Sequence, residues 1–201
     1  MIVSSTAMAF AYAAALGVEA TIAGLVLRRR GLPLRSNTVA TALAFSALGA
    51  YTLADGPATL VVACLAAGLV VSAATDVGYG LILDATTACT CGVLLVLAAC
   101  SGAFPAALLG CASAGSASLL LHMATRGRGF GLGDVKLAGT IGAGVGCASA
   151  FATLGAAFVL GAVVSLVALA LGRARFGQRL AFAPYLAAGA FGVLVWERMH
   201  A

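Results

Sequence analysis

The chain has 201 residues, of which 63% are hydrophobic and only 8% are charged, with a formal net charge of +5. Soluble domains typically have about 45–50% apolar and about 25% charged residues, so this composition excludes a soluble globule and indicates an integral membrane protein. The basic residues form short clusters between apolar runs, which is typical of topology signals and not of a nucleic-acid-binding surface.

Apolar runs follow one another along the whole chain, at lengths near the roughly 20 residues that a spanning helix needs. The runs are Val3–Leu27, Thr38–Ala54, Ala58–Thr75, Ala85–Cys100, Ala106–Ala124, two within Leu137–Leu171, and Leu180–Trp196. The uncharged stretch 137–171 is too long for one ordinary span, so we place a turn near Cys147–Thr153. We therefore expect one all-α domain over residues 1–201, a polytopic membrane helix bundle of about eight transmembrane segments. Abundant glycine and alanine predict close helix packing.

The charges predict the orientation of this bundle. Arg28, Arg29 and Arg30 follow the first run and no basic residue precedes it, so we interpret that run as an uncleaved helix and not as a signal peptide. Placing the loop 28–37 in the cytoplasm puts ten of the eleven basic residues there, with only Arg198 outside. Both termini are then outside.

Three of the six acidic residues, Asp76, Asp84 and Asp134, lie on the predicted cytoplasmic side. Charged groups at membrane depth are costly and suggest a function. For Asp134, which follows Gly-Leu-Gly, the alternative is a carboxylate that caps the next helix. For Asp84 an N-cap role is favoured, and Asp76 is otherwise an interfacial charge.

Two close aspartates can share one proton, so that the ionised member takes a proton from water while the protonated member polarises a peptide carbonyl. This chemistry requires neither metal nor cofactor. No Ser-His-Asp or metal-binding constellation competes with it: His122 is interpreted as a helix or interfacial residue, and the six cysteines, including Cys89 and Cys91, as packing residues.

Three stretches resemble the type IV prepilin peptidases, membrane aspartyl proteases of the GxGD kind. "GLGDVKL" at Gly131–Leu137 fits the GxGDxKL motif, and "DVGYGLILD" at Asp76–Asp84 fits the family's first motif. "AFAPYLAAGA" at Ala181–Ala190 is similar to the family's last-helix segment. The three occur in the family's order across almost the whole chain.

The resemblance implies roles for individual residues. Asp76 and Asp134 would be the catalytic pair, and Gly131 and Gly133 would belong to the GxGD turn. Lys136 matches the motif lysine, for which we expect a role in positioning or charge balance. The implied substrates are prepilins or pseudopilins, cleaved at the cytoplasmic face of the cell inner membrane after a glycine that ends a short basic leader.

The chain also departs from the family's pattern. Leu83 replaces a usual proline, and "AFAP" keeps only Pro184 of two prolines; Asp84 matches a motif position without a catalytic role. The loop after the first run has no cysteine, whereas larger members carry paired CxxC motifs linked to zinc and N-methylation. We therefore expect peptidase activity without methyltransferase activity.

Two other functions stay open at this point. One is an inactive peptidase-like scaffold of a pilus or secretion assembly, and the other is a small proton-coupled transporter. The sequence does not distinguish among pilin substrates or oligomeric states.

Overall fold

The computed structural model of the chain describes residues 5–33, 38–46, 60–127, 129–173 and 180–200, with only the backbone described for 5–9. Within those ranges every regular element is a helix, so the predicted all-α class is confirmed. The helices are α1 (Ser5–Arg29), α2 (38–46), α3 (Leu60–Tyr79), α4 (Asp84–Cys100), α5 (Phe104–Ala124), α6 (Leu132–Ala170) and α7 (Ala183–His200).

The predicted count of eight transmembrane segments is not confirmed. Among the described residues, four helices are long and apolar enough to cross a membrane, namely Phe10–Arg29, α3, α5 and α6, and α4 is a shorter apolar helix. The remainder of the second predicted run, residues 47–54, lies outside the described ranges.

Helix α6 is broken at Gly146, whose φ of 79° and ψ of 177° are not helical. The break lies one residue before the predicted turn range. The ring centroids of Phe130, just before α6, and Phe158, in its second half, are 5.9 Å apart. A straight helix would separate residues 132 and 158 by about 39 Å, so the two halves of α6 must fold back on each other.

The two arms of this hairpin have unequal lengths. The first arm, from Leu132 to Val145, is about 21 Å long, and the second, from Cys147 to Ala170, is about 36 Å long. Because Phe158 lies beside Phe130, the second arm continues about 18 Å beyond the level at which α6 begins. The start of α6 is therefore recessed relative to the end of that arm.

Glycines bring α5 and the first arm of α6 into backbone contact. A Cβ at Gly142 would lie 2.6 Å from the carbonyl carbon of Gly110, and a Cβ at Gly139 would lie 3.4 Å from the carbonyl oxygen of Cys111. Small residues permit such close approach between membrane helices. This contact fixes the position of α6 and of the residues at its start.

A polar contact joins α1 to α4 inside the apolar bundle. The carboxylate of Glu19 is buried and its Oε1 accepts a hydrogen bond from the Thr90 hydroxyl at 2.7 Å. Gly68 of α3 makes room for Thr90, because a Cβ there would lie 2.7 Å from the threonine Cγ2. Glu19 is thus a buried residue of the bundle interior.

Candidate active site

Asp76 lies in the last turn of α3, three residues before the helix ends at Tyr79. The helix stops here because Gly80 adopts a left-handed φ of 64°, and the Gly80 N–H donates to the Asp76 carbonyl at 2.7 Å. The side chain of Asp76 is 8% exposed. Its Oδ2 accepts a hydrogen bond from the backbone N–H of Ala183, the first residue of α7, at 3.0 Å.

Asp134 lies in the first turn of α6 and is 9% exposed. Its Oδ2 accepts a hydrogen bond from the N–H of Gly131, the N-cap residue, at 3.1 Å. The capping role considered for this aspartate is therefore present. The other oxygen, Oδ1, is buried and has no hydrogen-bond partner among the residues that the structure describes. Capping uses one oxygen only, and the second is left for other chemistry.

The two aspartates line one cavity of about 570 Å³. The walls come from the end of α3, the loop before α6 and the segment before α7; they consist of Val77, Gly78, Tyr79, Gly80, Gly127, Gly129, Phe130, Gly131, Leu180, Ala181 and Phe182. The fold thus brings residues that are 58 positions apart in the sequence to one cavity, which the motifs alone left open.

The two glycines of the GxGD stretch are needed for close approach. Gly131 has an ordinary φ of −79°, but a Cβ on it would lie 3.1 Å from Oδ2 of Asp134. A Cβ on Gly133 would lie 2.9 Å from Cβ of Ile82. Gly131 therefore lets the aspartate reach its N–H, and Gly133 lets the α3–α4 connection pack on the start of α6.

Asp84 and Lys136 pair with each other at the edge of the site. The Lys136 ammonium donates to Asp84 Oδ1 at 2.7 Å, with the two side chains 51% and 73% exposed. The N-cap prediction for Asp84 is wrong: Leu83 is the N-cap residue of α4, with extended backbone angles and no side-chain cap, and Asp84 is the first helical residue. Neither member of the pair lines the cavity.

The exposure of this pair predicts a small effect of its removal. We expect Asp84→Asn to lower the free energy of unfolding by less than about 1 kcal/mol, because exposed ion pairs contribute about that much at most. Cleavage activity should stay within about fivefold of wild type. Thermal unfolding in detergent and a leader-cleavage assay measure the two quantities. Complete loss of cleavage in a folded Asp84→Asn protein would instead place Asp84 in the chemistry.

His122 supports the cavity wall. The sequence predicted only a helix or interfacial position for this residue and no contact with the cavity. Its Nδ1 donates to the carbonyl oxygen of Phe130 at 2.6 Å. The intervening turn includes Arg126 and Gly127, with φ values of 51° and 70°. Histidine eight residues before the Phe130 carbonyl is not a recognised local motif, so the sequence offered no signal for this contact.

An aromatic cluster includes two of the residues that line the cavity, Phe130 and Phe182. Phe182 contacts Phe130 and Phe158, with ring centroids 5.3 and 5.1 Å apart, and Tyr185 at 6.2 Å. Pro184 is the second residue of α7, a position near the helix start where a missing N–H costs no helical bond. Across the described ranges, no three His, Cys, Asp or Glu side chains lie close enough to hold a metal ion.

This combination of long apolar helices and two buried carboxylates in one cavity is typical of a helical integral membrane protein with a candidate active site. The sequence profile of the type IV leader peptidase family matches residues 63–166. The chain belongs to that family.

Two relatives have the same identity to the chain. They are prepilin leader peptidase/N-methyltransferases of Burkholderia pseudomallei, from strains 1026b and K96243, each 36% identical over 162 residues. The match covers 76% of this chain and 52% of each relative. The chain thus spans about half the length of the curated relatives it matches. No solved structure matches it.

Proposed function

We propose that the chain is an aspartyl endopeptidase of the membrane that removes the basic leader of type IV prepilins or pseudopilins. The observation that carries the proposal is the shared cavity, into which the fold brings Asp76 and Asp134 from different helices. Membership of the type IV leader peptidase family supports the substrate class. The names of the two relatives support it further.

The dyad would hydrolyse the leader peptide bond without a covalent intermediate. One aspartate holds a proton and the other is ionised, because two carboxylates in one buried cavity are costly to ionise together. The ionised member takes a proton from water, the water oxygen bonds to the scissile carbon, and the carbonyl oxygen takes the other member's proton. When the tetrahedral diol collapses, the C–N bond breaks and the leaving amine receives a proton from the dyad.

The recessed position of the cavity supports a substrate that enters partly from the membrane. The second arm of α6 continues about 18 Å beyond the level of Phe130, with apolar side chains such as Val163 and Leu166 exposed along it. An apolar pilin helix can lie against such a surface in lipid. The basic leader, which precedes that helix, would then reach the carboxylates from the water-filled side.

The helix ends at the cavity support the proposed cytoplasmic location. Helix α3 ends there, and α6 and α7 begin there. The hydroxyl of Tyr79 donates to the carbonyl of Pro33 at 2.6 Å, which puts the loop after Arg28–Arg30 at the same end. Arginine-rich loops favour the cytoplasm. Both termini would then be outside. Arg175 and Arg179, which the sequence also places in a cytoplasmic loop, lie outside the described residues.

We also propose that this chain does not methylate the new pilin N-terminus. The loop that follows α1 has none of the cysteines expected for a CxxC-bearing insertion. When the chain is the only such enzyme in the cell, the mature pilin should have an unmodified amino terminus, which intact-mass and peptide mass spectrometry would measure. A mass increase of one methyl group, dependent on this chain, would contradict the proposal.

Co-expression with a candidate prepilin tests the function. Leader removal, followed by gel shift, is expected with the wild-type chain. Failure on every member of a prepilin panel would favour a scaffold role, and proton- or cation-dependent flux into vesicles that is lost in the aspartate variants would favour transport.

A further inference from the structure

The two aspartates receive unequal support from the backbone. Asp76 Oδ2 accepts the N–H of Ala183 in a buried contact, and Ala183 itself is 0% exposed. Asp134 Oδ2 accepts the N–H of Gly131, but Oδ1 is buried without a donor from the described part of the chain. Burying an ionised carboxylate costs more free energy when one of its oxygens has no hydrogen-bond donor. Burying the protonated carboxylic acid in the same place costs less.

The Ala183 N–H is available because it opens α7. The first N–H groups of a helix have no acceptor within the helix. In α7 the hydrogen bonding starts with the N–H groups of Tyr185 and Leu186, which both donate to the Phe182 carbonyl. The positive end of the α7 dipole therefore faces Asp76, and both features favour a negative charge on that carboxylate.

We propose that the Ala183 amide is a positioning group that keeps Asp76 as the ionised, proton-accepting member of the dyad, with Asp134 as the proton-bearing member. The inference rests on the proposed peptidase function and gives the proton transfers a direction. Water passes a proton to Asp76 as its oxygen bonds to the scissile carbon, and the carbonyl oxygen takes the proton from Asp134 Oδ1. On collapse, the leaving nitrogen takes the proton from Asp76, and Asp134 recovers its proton from a diol hydroxyl.

This assignment gives a chemical role to the stretch Ala181–Ala190, the last of the three that resemble the family. The stretch contains no acidic or basic residue. Leu180, Ala181 and Phe182 form one wall, and the peptide that follows them supplies the donor. The stretch acts through its backbone, at a helix start that lies 107 residues from Asp76.

Proline at position 183 tests the proposal, because proline suits the first position of a helix and lacks the N–H. We expect Ala183→Pro to lower kcat about 10- to 100-fold, with KM within about twofold of wild type, since hydrogen bonds to charged groups are among the stronger ones. Ala183→Gly, which keeps the N–H, should lower kcat by less than about threefold. A merely structural role would change KM or stability along with kcat, and the glycine variant would share the loss.

An amide-to-ester change at the 182–183 bond removes the same N–H without added bulk, should the proline variant fold poorly. It can be made by cell-free synthesis into nanodiscs with lactic acid at position 183, and the same fall in kcat is expected. Wild-type kcat in the ester and proline variants would overturn the proposal, as would a higher kcat, which is expected if Asp76 is the acid. The wild-type and Asp76→Asn chains, assayed in parallel, separate this outcome from failure of the peptidase function itself, because that failure would leave the wild type inactive.

Discussion

Replacing either Asp76 or Asp134 by asparagine is expected to lower leader cleavage by about 10²- to 10⁴-fold, the range that a positioned general acid or base contributes. Asparagine cannot accept the proton of the attacking water or supply an acidic proton to the carbonyl oxygen. The fold should be retained, because the asparagine carbonyl can still accept the N–H of Ala183 or Gly131. Single-turnover cleavage of a purified precursor in detergent or nanodiscs would measure the loss.

Asp84→Asn is the matched control for these two variants. It removes the same charge at the same end of the bundle, but from a side chain that is 73% exposed and does not line the cavity. Near-normal cleavage by this control, beside the loss in both dyad variants, would show that position and not overall charge decides activity. Equal activity of Asp76→Asn and wild type would remove Asp76 from the mechanism.

Gly142→Val is expected to have the largest effect on stability, lowering the free energy of unfolding by about 3 kcal/mol. A Cβ at this position would lie 2.6 Å from the carbonyl carbon of Gly110 and 3.1 Å from Cβ of Ala114, so α5 and α6 would have to separate. Backbone atoms cannot move aside as a flexible side chain does. Because Asp134 is on the same arm, cleavage should fall together with stability.

Gly155→Val on the second arm of α6 serves as the control, since no described residue lies within 4 Å of a Cβ built there. Equilibrium unfolding or thermal melting in the same detergent would compare the two valine variants. A similar loss of stability in both would mean that the valine side chain itself, and not the contact with Gly110, causes the destabilisation.

The sequence predicted the parts of the fold that depend on local composition. Apolar runs predicted the all-α class, and the uncharged stretch 137–171 predicted the turn that lies at Gly146. The motif positions of Asp76 and Asp134 predicted two aspartates at helix ends, and the structure adds that they line one cavity. These predictions rest on residues that are neighbours in the chain, or on the order in which the motifs occur.

Features that depend on distant contacts were not predictable from the sequence. The bond between Asp76 and the Ala183 amide joins residues 107 positions apart, and a backbone donor leaves no trace in the residue type. The error at Asp84 has a similar cause: its partner is Lys136, 52 positions away, and this pairing replaces the cap that the local sequence favoured. Helix α3 also extends to Tyr79, past the predicted end of its run at Thr75, because Gly80 and not Asp76 terminates it.

Cleavage of a purified prepilin by the purified chain in proteoliposomes would show whether the two aspartates catalyse the reaction. The wild type is compared with the double variant Asp76→Asn/Asp134→Asn, and mass spectrometry locates the cut. The two-aspartate account predicts a single cut between the basic leader and the apolar helix in the wild type, and no product with the double variant. Product formation by a folded double variant, at the same site and at a comparable rate, would contradict it.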